Sequence, residues 1–316
     1  MSGIYKQIIE KCFSNLKDAY EKDVCFWECT CPPDTNFFHC EKKCQTNHHC
    51  GLCLDAILKP KSRNQKQSTY RCIPITYTYM LRFLNPYASE IFHIFERNEN
   101  LRAKLSEGLV VSIGCGPATE LVAINEICEK YVLPSFRYAG FDTNDTWKYV
   151  QNIVKESIET ENKKICFIPQ ELRFDQKILQ RTKILIINYM ISHMYSHEGT
   201  MQLKTWFNTV LTPLFTAMPV DSYIIINDVN SCNLGRTEIQ EWAERYSDYS
   251  REYTYFIDST CPQRKWDDFV NPQGYTKWKS LCFPKISELL PDLPNGIEHS
   301  LSCGSATVVI HKEIPF

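Results

Sequence analysis

"VVSIGCGPATEL" occupies residues 110–121. An apolar run of strand length leads into two glycines one residue apart, and a helical pattern begins directly after them. Glycine is needed where backbone must approach a ligand with no Cβ in the way. Loops of this shape hold nucleotide-like ligands. A dinucleotide fingerprint needs a third small residue, but Gly114-Cys115-Gly116 is followed by Pro117, Ala118 and Thr119, which puts threonine at that position. A P-loop needs Gly-Lys-Ser/Thr, and this loop has no lysine.

Outward from the loop the chain keeps a steady rhythm. Strand-like runs at 109–113, 136–141, 165–168, 184–189 and 223–227 alternate with helical stretches at 119–132, 146–159 and 201–218. Such alternation indicates a parallel sheet with helices on both faces. Near the end, "SATVVIHK" (305–312) follows residues 296–303, and the two together read as a terminal hairpin. The second strand closes on "YAGFD", so Asp142 stands where a carboxylate can take two hydrogen bonds from a ribose diol. A ligand with a ribose but no pyrophosphate fits these features.

The pair "VVSIGCGPATEL" and "YAGFDTND" resembles the first two motifs of class I S-adenosylmethionine-dependent methyltransferases. The resemblance covers residues 108–230 and the terminal hairpin. It implies a doubly wound, mostly parallel seven-stranded sheet with an antiparallel terminal hairpin, and an enzyme that transfers methyl groups. It assigns the cofactor's methionine and ribose parts to Gly114, Cys115, Gly116 and Pro117, and the ribose hydroxyls to Asp142. Thr143 and Asn144 would border the adenine; Glu171 and Leu172, with Gln170, would cap it. The end of the fourth strand, Asn188-Tyr189-Met190, would face the sulfonium and the acceptor, with Asn188 and His193 as catalytic candidates. Two departures stand out. Ser112 occupies the place where the family often has an acidic residue, and the strand-four end is not Asn-Pro-Pro-Tyr/Phe, which disfavours methylation of an exocyclic base nitrogen by that route.

Composition sets the surroundings. Net charge is −2 over 316 residues, which leaves no global electrostatic case for nucleic acid or an anionic membrane. No apolar run approaches the ~20 residues that span a bilayer, and the first residues lack the apolar core of a secretory signal. The expected location is cytoplasmic, where thiols stay reduced. The 16 cysteines therefore need another explanation. Some, such as Cys128 and Cys166, sit in apolar runs and read as small buried hydrophobes.

Others cluster in "CFWECTCPPDTNFFHCEKKCQTNHHCGLC", residues 25–53. Cys25, Cys29, Cys31, Cys40, Cys44, Cys50 and Cys53, joined by His49, would supply two four-ligand zinc sites. Few apolar residues accompany them, so a metal staple would carry the folding of this segment. A disulfide-linked or merely Cys-rich loop is the alternative. The surplus of ligands disfavours a catalytic zinc.

The expected organisation is a zinc-binding module with a basic linker (1–72), a helical cleft cover (73–107) and the methyltransferase domain (108–316). The linker, 58–71, holds five basic and no acidic residues; the cover reads as one or two helices broken near Asn85-Pro86. An aromatic insertion at 231–296 could stack bases, shape a pocket or simply cover the sheet end. Three functions follow. The first is methyl transfer to RNA or protein gripped by the zinc module; the second is transfer to a small molecule with that module as lid; the third is cofactor binding without turnover.

Overall fold

Five strand-length runs form a parallel sheet, and all but the edge run at 163–168 are largely buried under helices. The structure is a computed structural model describing residues 3–21, 54, 57, 70, 72–172, 175–229, 232–246, 250–257, 276–277 and 305–313. The Cys-rich segment with its expected zinc ligands lies outside these residues, as does the basic linker apart from Tyr70. Among the described residues, no three His, Cys, Asp or Glu side chains are grouped to hold a metal ion. No described helix is long and apolar enough to cross a membrane.

The strands are β1 (Leu109–Ile113), β2 (Phe136–Phe141), β3 (Lys163–Ile168), β4 (Thr182–Asn188), β5 (Ser222–Val229), β6 (Ser250–Ile257), β7 (Thr276–Lys277) and β8 (Ser305–Lys312). Their spatial order is β3-β2-β1-β4-β5-β8-β6-β7. β1 to β5 run parallel, and β8 is antiparallel to both β5 and β6. The expected count of seven is not met: six strands, β1 to β5 and β8, form the body, while β6 and the two-residue β7 extend its edge. The antiparallel end is present, but the partner of β8 beyond β5 is β6, drawn from the stretch read as an aromatic insertion. Residues 296–303, expected to complete a hairpin, lie outside the described residues.

Helices α1 (Gly3–Glu21), α2 (Ile73–Arg97), α3 (Glu99–Glu107), α4 (Thr119–Lys130) and α5 (Lys148–Ile158) cover one face of the sheet. The other face carries α6 (Gln176–Leu179), α7 (Ile191–Glu198), α8 (Thr200–Trp206), α9 (Thr212–Ala217) and α10 (Arg236–Glu244). Strand alternation feeds both cores: Ile184 and Ile186 join the first, Leu185 and Ile187 the second. α1 packs on α2 and α5, so the amino-terminal helix shares the core of the α/β unit.

Three local outcomes differ from expectation. α2 runs unbroken through Pro86 as one helix, with Ser89 Oγ donating to the Asn85 carbonyl at 2.6 Å just past the proline. α7 follows β4 directly where the sequence showed no helix. Cys128 is buried as expected, but Cys166 is exposed, because β3 is an edge strand with one open side.

Lys312 is 2% exposed and donates from Nζ to the carbonyls of Phe215 (3.1 Å), Thr216 (2.7 Å) and Met218 (2.7 Å). These oxygens are at the end of α9, where helical carbonyls have no partner in the helix itself. Lys312→Met keeps the stem and removes all three bonds. The expected loss is about 2–4 kcal/mol in denaturant unfolding. An unchanged midpoint would show that water satisfies those carbonyls equally well.

Candidate cofactor and acceptor site

β1 and β4 are neighbours from which the chain departs in opposite directions, to β2 and β3 on one side and to β5 on the other. Ligands of open α/β sheets bind at this reversal, outside the carboxyl ends of the strands. The glycine loop and Asn188–Met190 stand on its two banks. Gly114 (φ 61°), Gly116 (φ 49°) and Ala118 (φ 62°) are all left-handed. A Cβ on Gly114 would lie 2.6 Å from Met190 Sδ, and one on Gly116 would meet the Trp147 ring at 3.7 Å. The loop is thus closed in by side chains and needs its glycines.

Asp142 ties the two banks of the loop together. Its Oδ2 accepts from the Gly116 N–H and its Oδ1 from the Asn144 N–H, both at 2.8 Å. Burial raises its pKa, and the two backbone bonds work against that rise. Gln151 on α5 donates from Nε2 to the Gly116 carbonyl at 2.7 Å. Cys115 and Pro117 are buried within the loop. Asn144 caps the following turn through Thr146 N and donates from Nδ2 to the Tyr70 carbonyl at 3.0 Å, which draws the chain before α2 across the mouth. Thr143 and Glu171 are exposed, whereas Leu172 is packed into the second core.

Ser112 is hydrogen-bonded to a buried carboxylate. Glu120, in the first turn of α4, is 1% exposed; its Oε1 accepts from Ser112 Oγ and Tyr138 OH, both at 2.6 Å. Burial raises its pKa.

At the ends of β4 and β5 lies a buried polar group. Asn188 Oδ1 accepts from Asn227 Nδ2 at 2.9 Å, and its own Nδ2 donates to Thr119 Oγ1 at 3.4 Å. Both ends of this amide are engaged inside the protein, so Asn188 joins β4, β5 and α4 rather than presenting a free group. Asn227 Nδ2 also donates to Glu90 Oε2 (2.8 Å), and Thr307 Oγ1 on β8 donates to Asn227 Oδ1 (2.6 Å). Tyr189 OH donates to Glu90 Oε1 at 3.0 Å. Asp228 accepts from the N–H groups of Ile191 (2.6 Å), Ser192 (3.1 Å) and Val229 (2.7 Å), and thereby fixes the start of α7. Burial pushes its pKa up to about 6.

Aromatic rings from α2 and the strand ends form a continuous layer over this group. Tyr70 lies 5.0 Å from Trp147, Tyr79 5.3 Å from Trp147, and Tyr87 stacks on Tyr189 with ring centres 3.6 Å apart. His193 sits at the rim, 6.0 Å from Tyr70 and 3.8 Å from His197. Its surroundings and the neighbouring imidazole push its pKa down to about 4, so it is neutral and weakly basic at pH 7. Glu90, Glu120, Trp147, Gln151, Asn227 and Asp228 were not singled out from sequence. Only Asn227-Asp228, polar residues closing a fully apolar strand, carried a local signal.

No protein-family model matches this chain, and no curated protein matches it. Solved structures do. It is similar to precorrin-6y C5,15-methyltransferase from Geobacter metallireducens (TM-score 0.40, 11% identity, 71% of this chain and 89% of that one). It is also similar to an rRNA methylase from Streptococcus thermophilus (TM-score 0.35, 11% identity, 68% and 92%). A methyltransferase from Pyrococcus furiosus gives TM-score 0.39 at 11% identity, over 69% and 82%.

Proposed function

We propose that this chain transfers a methyl group from S-adenosylmethionine to a nucleophilic acceptor. The observation that carries the proposal is Asp142, fixed by Gly116 and Asn144 at the sheet's reversal point beside a left-handed glycine loop. Each of its oxygens keeps a lone pair after accepting one N–H, as a ribose diol requires. Gly114 to Pro117 would hold the methionine and ribose parts, with Thr143 and Asn144 beside the adenine and Tyr189 and Met190 towards the methyl group. Glu171 and Leu172 fit less well, since one is exposed and the other is committed to the core. When bound, S-adenosylmethionine supplies an activated methyl group whose leaving group is a neutral thioether. The protein then needs chiefly to align the acceptor and exclude water.

The aromatic layer of Tyr79, Tyr87, Trp147 and Tyr189 favours a small acceptor enclosed under α2. A macromolecular acceptor, RNA or protein, would depend on the basic linker and the Cys-rich segment, with zinc as a structural brace. Asp142→Ala is expected to weaken S-adenosylmethionine binding by about 1–3 kcal/mol, measured by calorimetry. Affinity equal to wild type would remove Asp142 from the binding site.

A further inference from the structure

We propose that Tyr189 and Glu90 form a proton-accepting relay for a methyl acceptor that bears an N–H or O–H bond. This rests on the methyl-transfer proposal above. The geometry is a hydroxyl at the end of β4 backed by a carboxylate from α2. Tyr189 OH donates to Glu90 Oε1 at 3.0 Å, and Asn227 Nδ2 donates to Oε2 at 2.8 Å. Tyr189 is only half-buried, while Glu90 has no exposed surface. The carboxylate is therefore the deeper of the two, and the tyrosine lies between it and the crevice rim.

Tyr189 is also held at a cost. Its φ of 56° is left-handed, which is unfavourable for a residue with a Cβ. Three contacts keep it there: its N–H donates to the Asn227 carbonyl at 2.8 Å, its ring stacks on Tyr87, and its hydroxyl binds Glu90. Strained residues held by several neighbours at a strand end mark functional positions.

In the step itself, the acceptor's lone pair forms a bond to the methyl carbon and the sulfur–methyl bond breaks, its electron pair returning to sulfur. The acceptor's proton passes to the Tyr189 oxygen as the tyrosine's own proton passes to Glu90 Oε1. Atoms and charge balance, and the methyl donor is the only co-reactant. The groups that face Glu90 are Tyr87 on its own helix, Tyr189 from β4 and Asp228 from β5, with Tyr70 beyond Tyr87. Burial, opposed by the bonds from Asn227 and Tyr189, pushes the Glu90 carboxyl up to about 8.

The test uses the full chain and the variants Glu90→Gln and Tyr189→Phe. Infrared difference titration from about pH 7 to 10 should show a carboxyl group ionising in wild type that is absent in Glu90→Gln. A tyrosine ring signal should titrate with it and vanish in Tyr189→Phe. If no such carboxyl titrates, the relay is overturned. S-adenosylhomocysteine, used as the probe in calorimetry, should bind wild type. Failure of wild type to bind it would sink the methyl-transfer proposal and leave the titration result standing by itself. Transfer of labelled methyl groups into RNA, protein and small-metabolite fractions should rise with pH in wild type. Both variants should transfer about a hundredfold more slowly, and Glu90→Gln should lose the rise. The wild-type pH slope persisting in Glu90→Gln would overturn the relay even if that variant were slow.

Discussion

Deleting residues 1–21 is expected to abolish cooperative folding of the α/β unit. Tyr5, Ile8, Ile9, Cys12, Leu16 and Ala19 of α1 are buried, most of them completely, and lie in one core with α2 and α5. Burying each large apolar side chain contributes roughly 1.5–3 kcal/mol. The entropy of ordering the helix offsets part of that gain. Deletion also uncovers apolar residues of α2 against which α1 packs. Ordinary domains are stable by about 5–15 kcal/mol in total, so the loss is comparable with the whole. Ile8→Ala should cost about 2–5 kcal/mol by the same contact, in a protein that still folds. A truncated chain that unfolds at the wild-type denaturant midpoint would show α1 to be an accessory.

The second large effect is a loss of stability as pH rises. In the folded protein the Glu90 carboxyl is raised from 4.5 to about 8. Below the lower value both states carry the proton and the full stability is present. Between the two values the unfolded chain releases its proton while the folded one retains it, so stability falls by about 1.4 kcal/mol per pH unit until the folded group ionises. Asp228, raised to about 6, adds a similar slope in the lower part of that range. The interval from about pH 6 to 8 therefore belongs mainly to Glu90, and wild type should lose about 2–3 kcal/mol across it relative to Glu90→Gln. Parallel stability curves for the two proteins would mean that Glu90 ionises freely in the fold.

The parallel half of the molecule was legible because its signals are local. β1, β2 and β5 are apolar runs bounded by breakers, and the glycine loop and Asp142 each stand at a strand end. β6 was missed although "SREYTYFI" alternates, because its aromatic content suggested a pocket or a cover before it suggested a strand. The acceptor side was hidden for a different reason. Glu90 is 137 residues from Asn227, and on a helix that also buries Thr76, Thr78, Asn85, Ser89 and His93 it reads as one polar residue among several. Ser112 looked like a lost carboxylate. Its hydrogen-bond partner, Glu120, is eight positions later and reaches it only because α4 folds back over β1. Likewise, nothing local told that Asn188 would spend both ends of its amide inside the protein. Such facts belong to the meeting of elements and not to any one of them.

The position of β8 bears on how the protein is made. It lies between β5 and β6, and its Thr307 hydroxyl completes the polar group around Asn227 and Glu90. A chain leaving the ribosome has both flanking strands in hand well before residues 305–312 emerge. Until then β5 has an open edge, ready to pair with any passing strand, and the buried amide of Asn227 has lost one of its partners. The polar group at the ends of β4 and β5 is therefore finished only after residues 305–312 have emerged. A chain that stops short of residue 305 displays the glycine loop beside an open β5 edge and an incomplete polar group around Asn227.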